Sequence, residues 1–300
     1  MKGKRFLAVL MAALCAALIL VPAVPAQAAT SSVYIEEYTD ANGKTKSFTK
    51  GTGTVFSEGS FSVNEHGGNH AIKNLKANKK GIKLAVTNTN YGTRYDSASD
   101  SDLPFRESTI RYYATKTGTY KITFKVNSKQ YTYNLKIYAS SNRAAKVTFG
   151  KQVVRDYSRT ANASGYTYKA KVKSKVTGKS GKLTVKPTGP YKITGLVAET
   201  YNKKGNPVYT KLKNGGKLTL SKGYDKYISD DKTYSYSSPL KYTYIYISYK
   251  NTFTGESVTY SVGKNPDTGE KCIIRTTKDR YGTNKSYYVG GGSDIVLWQY

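Results

Sequence analysis

The chain has 300 residues and carries 48 Lys and Arg side chains against 19 Asp and Glu, a formal net charge of +29 at pH 7. This length suggests about two domains and allows a sizeable buried core, while a count of two cysteines excludes a disulfide-stapled scaffold. Most of the charge is lysine, which attracts anionic polymers with little specificity because its ammonium group is a hydrated point charge.

The first 28 residues have the pattern of a secretory signal peptide. A basic start, MKGKR, precedes an apolar run from Phe6 to Val21 and an A-x-A cleavage signal at Ala26–Ala28. We expect cleavage after Ala28 and a secreted, extracellular protein that is either released or held at the cell wall by non-covalent contacts. We expect no membrane span after cleavage. Cys272 would be the one remaining cysteine, so no intrachain disulfide could form.

The rest of the sequence alternates apolar and polar residues with the period of two that is typical of strands. Residues 33–49 contain Asn42-Gly43, which predicts a hairpin. Residues 82–86 and 109–114 predict two further strands. Residues 69–80 could form a short helix that ends at Gly81.

From residue 119, TYKITFKV and YTYNLKIY flank the polar stretch NSKQ and predict a second hairpin. The stretch IRYYATKTGTYKITFKV, with YTYNLKIY behind it, resembles the last strands of bacterial immunoglobulin-like domains. The residues of the shared G-T-Y-x-hydrophobic-x-hydrophobic run are Gly118, Thr119, Tyr120, Ile122 and Phe124. The resemblance implies a β-sandwich with a role in adhesion, spacing or display, and it transfers no catalytic residue. It also implies a corner tyrosine at Tyr120, bonded back to the backbone.

A polar joint near residues 139–146 predicts a domain boundary. We expect an immunoglobulin-like β-sandwich over residues 29–142 and a second, strongly basic β-sandwich-like domain with a C-terminal tail over residues 143–300. The second region carries 29 basic and 10 acidic side chains. Strand–helix alternation is absent, so the predicted class is all-β, with tandem antiparallel β-sandwich (immunoglobulin-like) domains.

The stretch KYTYIYISYK, residues 241–250, places three tyrosines on one face of a strand, because successive side chains point to opposite sides. Its hairpin partner, residues 257–262, is expected to place small hydroxyl residues beside the rings. Sugar rings could stack there, which is a hypothesis of glycan binding; the alternative is a covered packing face, since aromatic residues fit the pleated surface of a sheet. The predicted glycan-binding residues are Tyr242, Tyr244, Tyr246, Ser257, Thr259 and Ser261.

A second pattern, TYKAKVKSKV, places four lysines on one face of a predicted strand. Lysines two residues apart stand about 7 Å apart along a strand, which suits a polymer of repeating negative charge. The alternative is protection of an edge strand against pairing with another sheet. The residues of this lysine row, predicted to bind anionic polymer, are Lys169, Lys171, Lys173 and Lys175.

No constellation for catalysis is recognisable, and we predict no enzyme activity, no cofactor and no metal. His66 and His70, with Glu65 beside them, are the best candidates for metal ligands, but Gly67-Gly68 argues against the helix that would align them. A carboxylate pair for glycoside hydrolysis would meet only in the fold.

The predicted function is that of a secreted, non-catalytic surface or matrix protein that binds anionic cell-wall polymer or glycan. One alternative is a structural spacer or assembly protein that makes protein–protein contacts with other surface proteins, and another is a secreted glycoside hydrolase. Outside a cell, acidic polysaccharide and teichoic acid are better candidate partners than nucleic acid. The oligomeric state stays open.

Overall fold

The computed structural model describes residues 31–97, 99–162, 165–202, 206–221, 227–228, 235–236, 242–289 and 292–299. The predicted signal peptide, residues 1–28, lies outside these ranges. Within them the chain is all-β, as predicted from the alternation. No helix that is long and apolar enough to cross a membrane occurs in the described part of the chain.

The described residues of the first half form ten strands. These are β1 (Ser32–Ile35), β2 (Tyr38–Thr39), β3 (Thr45–Lys46), β4 (Lys50–Thr54), β5 (Glu58–His66), β6 (Lys73–Ala77), β7 (Ile82–Asp96), β8 (Ser101–Ala114), β9 (Gly118–Val126) and β10 (Lys129–Tyr138). Two four-stranded sheets have the orders β1-β5-β8-β7 and β4-β10-β9-β6, and β2 pairs with β3. The pairs are antiparallel apart from β4 with β10, which is parallel.

These two sheets pack face to face around one apolar core. Phe61 and Ile110 come from one sheet, Ile122 and Leu135 come from the other, and all four are almost completely buried. The Phe61 ring stacks on Tyr133 with centroids 3.9 Å apart. Burying a large apolar side chain contributes about 1.5–3 kcal/mol, so this cluster holds the two sheets together as a β-sandwich.

Two predicted hairpins are present, and their turn residues explain them. Gly43 has a φ of 75°, a left-handed conformation that glycine adopts without steric cost. Asp40 Oδ1 accepts hydrogen bonds from two N–H groups of the same turn, both 3.0 Å long. Between β9 and β10, Asn127 and Ser128 both have positive φ, as a type I′ turn requires.

The short helix considered for residues 69–80 was wrong, because β6 lies there. Asn74 has a φ of 54°, which is incompatible with a right-handed helix. Asn78 Oδ1 accepts the N–H of Lys121 at 2.9 Å and ties this segment to β9 as an edge strand. Leu75 packs against the first core, so the segment gains burial as a strand.

Strands β7 and β8 continue well beyond the residues predicted for them and form a long hairpin arm. The apolar alternation stops near Val86, yet the pairing extends to Asp96 and Ser101. Tyr91 and Tyr95 on the arm are 61% and 62% exposed. Because β7 is the last strand of its sheet, this arm presents an open backbone edge.

Tyr120 takes the position that the immunoglobulin-like resemblance implied. The side chain is completely buried, and its hydroxyl donates a hydrogen bond to the carbonyl of Lys116 at 2.8 Å. The carbonyl of Gly81 lies 3.3 Å from the same hydroxyl. Since Lys116 is four residues upstream, the expected bond from Tyr120 back to the backbone is present.

The second half forms fifteen strands within its described residues. These are β11 (Asn142–Phe149), β12 (Gln152–Asn162), β13 (Gly165–Val172), β14 (Lys175–Val176), β15 (Ser180–Thr188), β16 (Tyr191–Tyr201), β17 (Pro207–Leu212), β18 (Lys217–Thr219), β19 (Tyr227–Ile228), β20 (Ser235–Tyr236), β21 (Tyr242–Asn251), β22 (Ser257–Lys264), β23 (Lys271–Lys278), β24 (Asn284–Tyr288) and β25 (Ile295–Gln299). One sheet has the order β13-β12-β11-β15-β18. The larger sheet has the order β14-β25-β21-β22-β23-β24, with β16 joining β21 to β17.

A second core lies between these two sheets. Phe149 and Leu183 from the smaller sheet pack with Leu196, Ile245 and Leu297 from the larger one. The buried residues of this core run from 144 to 297, and those of the first core run from 35 to 137.

The two halves touch through a small polar and aromatic contact. Arg280 forms an ion pair with Glu36. The ring of Tyr281 stacks on Tyr38 at 4.8 Å between centroids and meets Phe48 edge-on at 5.8 Å. The contact therefore links the turn after β23 to the first hairpin of the chain.

Candidate functional site

Strand β21 separates two faces, as its alternation predicted. Its aliphatic residues are buried in the second core, and the three tyrosines lie on the other face. Tyr246 is buried there, whereas Tyr242 and Tyr244 are half-buried. The Tyr242 ring makes edge contacts with Tyr244 and Trp298, with centroids 6.4 and 6.3 Å apart. The Trp298 ring on the neighbouring strand β25 therefore packs beside the first tyrosine of this face.

The three hydroxyl residues predicted to lie beside these rings are Ser257, Thr259 and Ser261. The structure does not bring them there. The ladder between β21 and β22 is short, because the N–H of Tyr260 donates to Ser248 Oγ at 2.8 Å instead of to the strand backbone. Tyr260 and Val262 pack with Tyr246, and the Tyr260 and Tyr246 ring centroids are 5.4 Å apart. Side chains alternate along β22, so the hydroxyl residues point away from Tyr246.

The tyrosine face instead surrounds a carboxylate. Glu199 lies on β16 directly opposite Tyr209 of β17 and Tyr244 of β21, and directly opposite residues share a face of the sheet. Tyr201 follows two residues later on the same face of β16. Together with Tyr246 these residues line a cavity of about 390 Å³, which Ile273, Val289 and Gly292 also line. We call it the tyrosine cavity.

Two phenols hold the carboxylate in this cavity. The hydroxyl of Tyr201 donates to Glu199 Oε1 at 2.7 Å, and that of Tyr246 donates to Oε2 at 2.9 Å. Burial, and then the Glu199 carboxylate, raise the pKa of both phenols well above the usual value near 10. The phenols therefore remain neutral at physiological pH, and the cavity carries the single negative charge of Glu199.

The predicted lysine row does not lie on one strand. Lys169 and Lys171 belong to β13, an edge strand, which ends at Val172. The N–H of Lys173 donates to the carbonyl of Val154 at 2.8 Å, and the chain then crosses to the other sheet. Lys175 begins β14, where its ammonium group lies 5.4 Å from the centroid of the Trp298 ring.

A second cavity, of about 640 Å³, is lined by residues of both the smaller and the larger sheet and is cationic. It contains three arginines with three tyrosines and one carboxylate around them. We call it the arginine cleft, and its principal residues are Arg143, Arg155, Arg275, Tyr260, Tyr287, Tyr288 and Asp294. Lys173 lies close by, because it shares a smaller cavity of about 220 Å³ with Arg155 and Asp294.

The cleft opens beside a stretch of β21 that has no strand paired to one of its edges in the described part of the chain. Strand β16 occupies one edge of β21, so β25 and β22 must share the other, and they pair at residues 242–245 and 249–250. Between them, Asp294 Oδ2 accepts the N–H of Ile247 at 2.7 Å, and Ser248 Oγ accepts that of Tyr260. Side-chain oxygens therefore accept the backbone N–H groups that a paired strand would otherwise bind.

Asp294 also organises two of the arginines. Its Oδ1 lies 3.0 Å from Arg143 Nη2, and its backbone carbonyl accepts a hydrogen bond from Arg155 Nη2 at 2.9 Å. Burial opposes the charged form of Arg143, but Asp294 and the Tyr249 hydroxyl outweigh it and raise the pKa of the guanidinium. Arg275 lies between Tyr260 and Tyr287 on neighbouring strands. The cleft thus contains three guanidinium groups and one carboxylate, which pairs with Arg143.

Sequence reasoning missed these arginines because they come from three separate strands. One signal was available: only five of the 29 basic residues in residues 143–300 are arginine. Three of those five meet in the cleft. Arginine among lysines marks sites where a fixed, forked donor is needed.

The candidate metal ligands of the first half pair with different carboxylates. His66 Nε2 lies 2.9 Å from Glu37 Oε2, and His70 Nδ1 lies 2.7 Å from Glu65 Oε1. No group of three or more potential His, Cys, Asp or Glu metal ligands occurs in the residues that the structure describes.

No family model and no curated protein matches the chain. Among solved structures it is similar to domains 1–6 of the surface layer protein SbsC, with 12% identity and a TM-score of 0.26 over 88% of this chain and 26% of that one. Domains 5–6 of SbsC give 13% identity and a TM-score of 0.23, over 81% and 93%. The Yersinia pseudotuberculosis adhesin InvE gives 11% and 0.17, over 90% and 62%. The chain spans about a quarter of the length of the first of these structures.

Proposed function

We propose that the chain is a secreted, non-catalytic surface or matrix protein whose second domain binds anionic cell-wall polymer in the arginine cleft. The observation that carries this proposal is the convergence of Arg143, Arg155 and Arg275 on one open cavity. The proposal includes two tandem domains, residues 29–142 and 143–300, with the first one immunoglobulin-like.

Arginine suits this role better than the lysine row does. A guanidinium group presents several donors in a fixed fork that matches phosphate and carboxylate, and Asp294 neutralises only part of the charge in the cleft. Tyr287 and Tyr288 at its rim are 48% and 53% exposed. These rings, rather than Tyr242, Tyr244 and Tyr246, are open to stacking on a sugar. Lys169 and Lys171 on the edge strand would add attraction without selectivity.

The test uses purified mature protein and bacterial cell walls that are either intact or stripped of anionic polymer. We expect binding to intact walls that is lost on stripping and weakens with salt. Arg275→Gln should lower the affinity by about tenfold, the loss expected for one charge-assisted contact. Lys125→Gln is the matched control, since it removes the same charge from an exposed position in the first sandwich, and it should change affinity by less than about twofold. Equal effects of the two variants would assign binding to general charge.

A second candidate function is assembly with other surface proteins through the hairpin arm of β7 and β8. Its exposed Tyr91 and Tyr95 and its open edge favour this role. Sedimentation should then show a mass above that of the monomer. Replacing both tyrosines by serine should reduce that mass, whereas a monomeric wild-type protein that captures no surface protein would contradict assembly.

A further inference from the structure

Among the residues that the structure describes, the carboxylate of the tyrosine cavity has no cationic partner. Although the chain has 48 basic residues, Glu199 forms no ion pair within 4.0 Å with any residue that the structure describes. Its two oxygens are held by neutral phenols instead. A partly buried charge is costly unless it is paired, so the cavity is electrostatically prepared for a cation.

The walls of the cavity favour an organic cation. The side chains of Tyr201, Tyr209, Tyr244 and Tyr246 surround Glu199. An aromatic ring attracts cations over its face, and several rings around one point form the arrangement that recognises alkylammonium groups. A hard metal ion would need several oxygen ligands of the carboxylate type, whereas this cavity offers one carboxylate and neutral phenols.

We propose that the tyrosine cavity binds an organic ammonium group, with Glu199 as the counter-ion and the tyrosine rings as the cage. A volume of about 390 Å³ leaves room for an ammonium group with its alkyl substituents. A neutral sugar could donate hydrogen bonds to Glu199 but would leave its charge without a counter-ion, so this site differs from the sugar platform expected from the sequence.

The position of the cavity next to the arginine cleft indicates which class of polymer the protein would bind, an inference that rests on the proposed function. Val289 and Gly292 line both the tyrosine cavity and the arginine cleft, and the Tyr260 ring of the cleft contacts Tyr246 of the cavity. A single ligand can therefore place an anionic group among the arginines and an ammonium group beside Glu199. The ligand class is a zwitterionic polymer, with an ammonium group close to each phosphate or carboxylate.

The ammonium site is tested with choline and its neutral isostere 3,3-dimethylbutan-1-ol, by titration calorimetry on the mature protein. We expect choline to bind at least tenfold more tightly than the isostere. Glu199→Gln should abolish that preference, while Glu58→Gln, which removes the same charge from an exposed position in the first sandwich, should preserve it. Equal binding of the two probes by the wild-type protein would overturn the proposal without reference to any variant.

A polymer experiment separates the two proposals. Poly(glycerol phosphate) with aminoacyl esters is compared with the same polymer after mild base has removed the esters. General charge attraction predicts tighter binding of the deacylated polymer because it is more negative; we expect the aminoacylated polymer to bind at least fivefold more tightly. Arg275→Gln should weaken the binding of both polymers and leave choline unaffected. Choline binding without polymer binding would contradict the proposed function but support the ammonium site. Tighter binding of the deacylated polymer would contradict the zwitterionic ligand.

Discussion

Two charged residues of opposite sign occupy equivalent surroundings on the larger sheet of the second half. Glu199 on β16 lies between Tyr209 and Tyr244, and Arg275 on β23 lies between Tyr260 and Tyr287. Neither forms an ion pair within 4.0 Å among the described residues. The same local arrangement, a central strand with tyrosines on both neighbours, thus creates one anionic and one cationic site.

The difference between them lies in what the neighbouring groups do. Around Glu199 two phenols donate hydrogen bonds to the carboxylate, so the charge is held but not neutralised. Near Arg275, the tyrosine hydroxyls can only accept from the guanidinium, which has five N–H donors to satisfy. Donors therefore remain for an external anion. In our proposal the sign of the central charge, more than the tyrosines, would decide which ligand each site takes.

The largest difference in stability is expected between Glu199 and Asp294, a carboxylate with a structural role. We expect Asp294→Asn to lower the free energy of unfolding by about 2–3 kcal/mol, because it removes a charge that bonds to a guanidinium and to a backbone N–H. Glu199→Gln should cost about 1 kcal/mol or less, since the amide still accepts one phenol. Urea unfolding measures both. Similar costs for the two variants would remove the distinction between a structural and a ligand-binding carboxylate.

A smaller difference in stability is expected between the hydroxyl groups of Tyr246 and Tyr287, one from each site. Tyr246→Phe removes a buried hydrogen bond to Glu199 and should cost about 1 kcal/mol. Tyr287→Phe changes an exposed ring and should stay within about 0.5 kcal/mol. The same unfolding experiment detects this difference. A large effect of Tyr287→Phe would mean that its hydroxyl is part of the fold rather than of an open rim.

The strands and their faces could be predicted from the sequence, but the cavities could not. Period-two alternation identified β21 with its tyrosine face, and the G-T-Y run identified Tyr120. The sites depend on strand order and register, which alternation does not contain. Arg143 and Arg155 come from the smaller sheet and Arg275 from the larger one, so it is the packing of the two sheets that brings them to one cavity. The hydroxyl residues of β22 point away from Tyr246 because Ser248 accepts the Tyr260 N–H and interrupts the pairing of β21 with β22. The lysine row is divided because β13 ends at Val172, before Lys173.

The smallest expected effect concerns the pH dependence of stability, which reports the influence of the Glu199 charge on the two phenols. The folded protein keeps the protons of Tyr201 and Tyr246 above pH 10, because burial and Glu199 raise their pKa, while the unfolded chain releases its phenolic protons near pH 10. The folded state then binds more protons, so stability is full below pH 10 and falls as the pH rises above it.

Glu199→Gln removes the part of the pKa shift that the carboxylate causes and leaves the part caused by burial. The proton content of the two folded states differs only when the pH approaches the folded pKa of the phenols, so the drop in unfolding free energy between pH 8 and pH 12 should be smaller in this variant than in Glu58→Gln. Tyr133 of the first sandwich provides an internal comparison, since burial is the largest cause of its raised pKa and Glu199 is not among the others. An identical alkaline drop in the two variants would show that the phenols do not sense the Glu199 charge, and the cavity would then lack the field that an ammonium ligand requires.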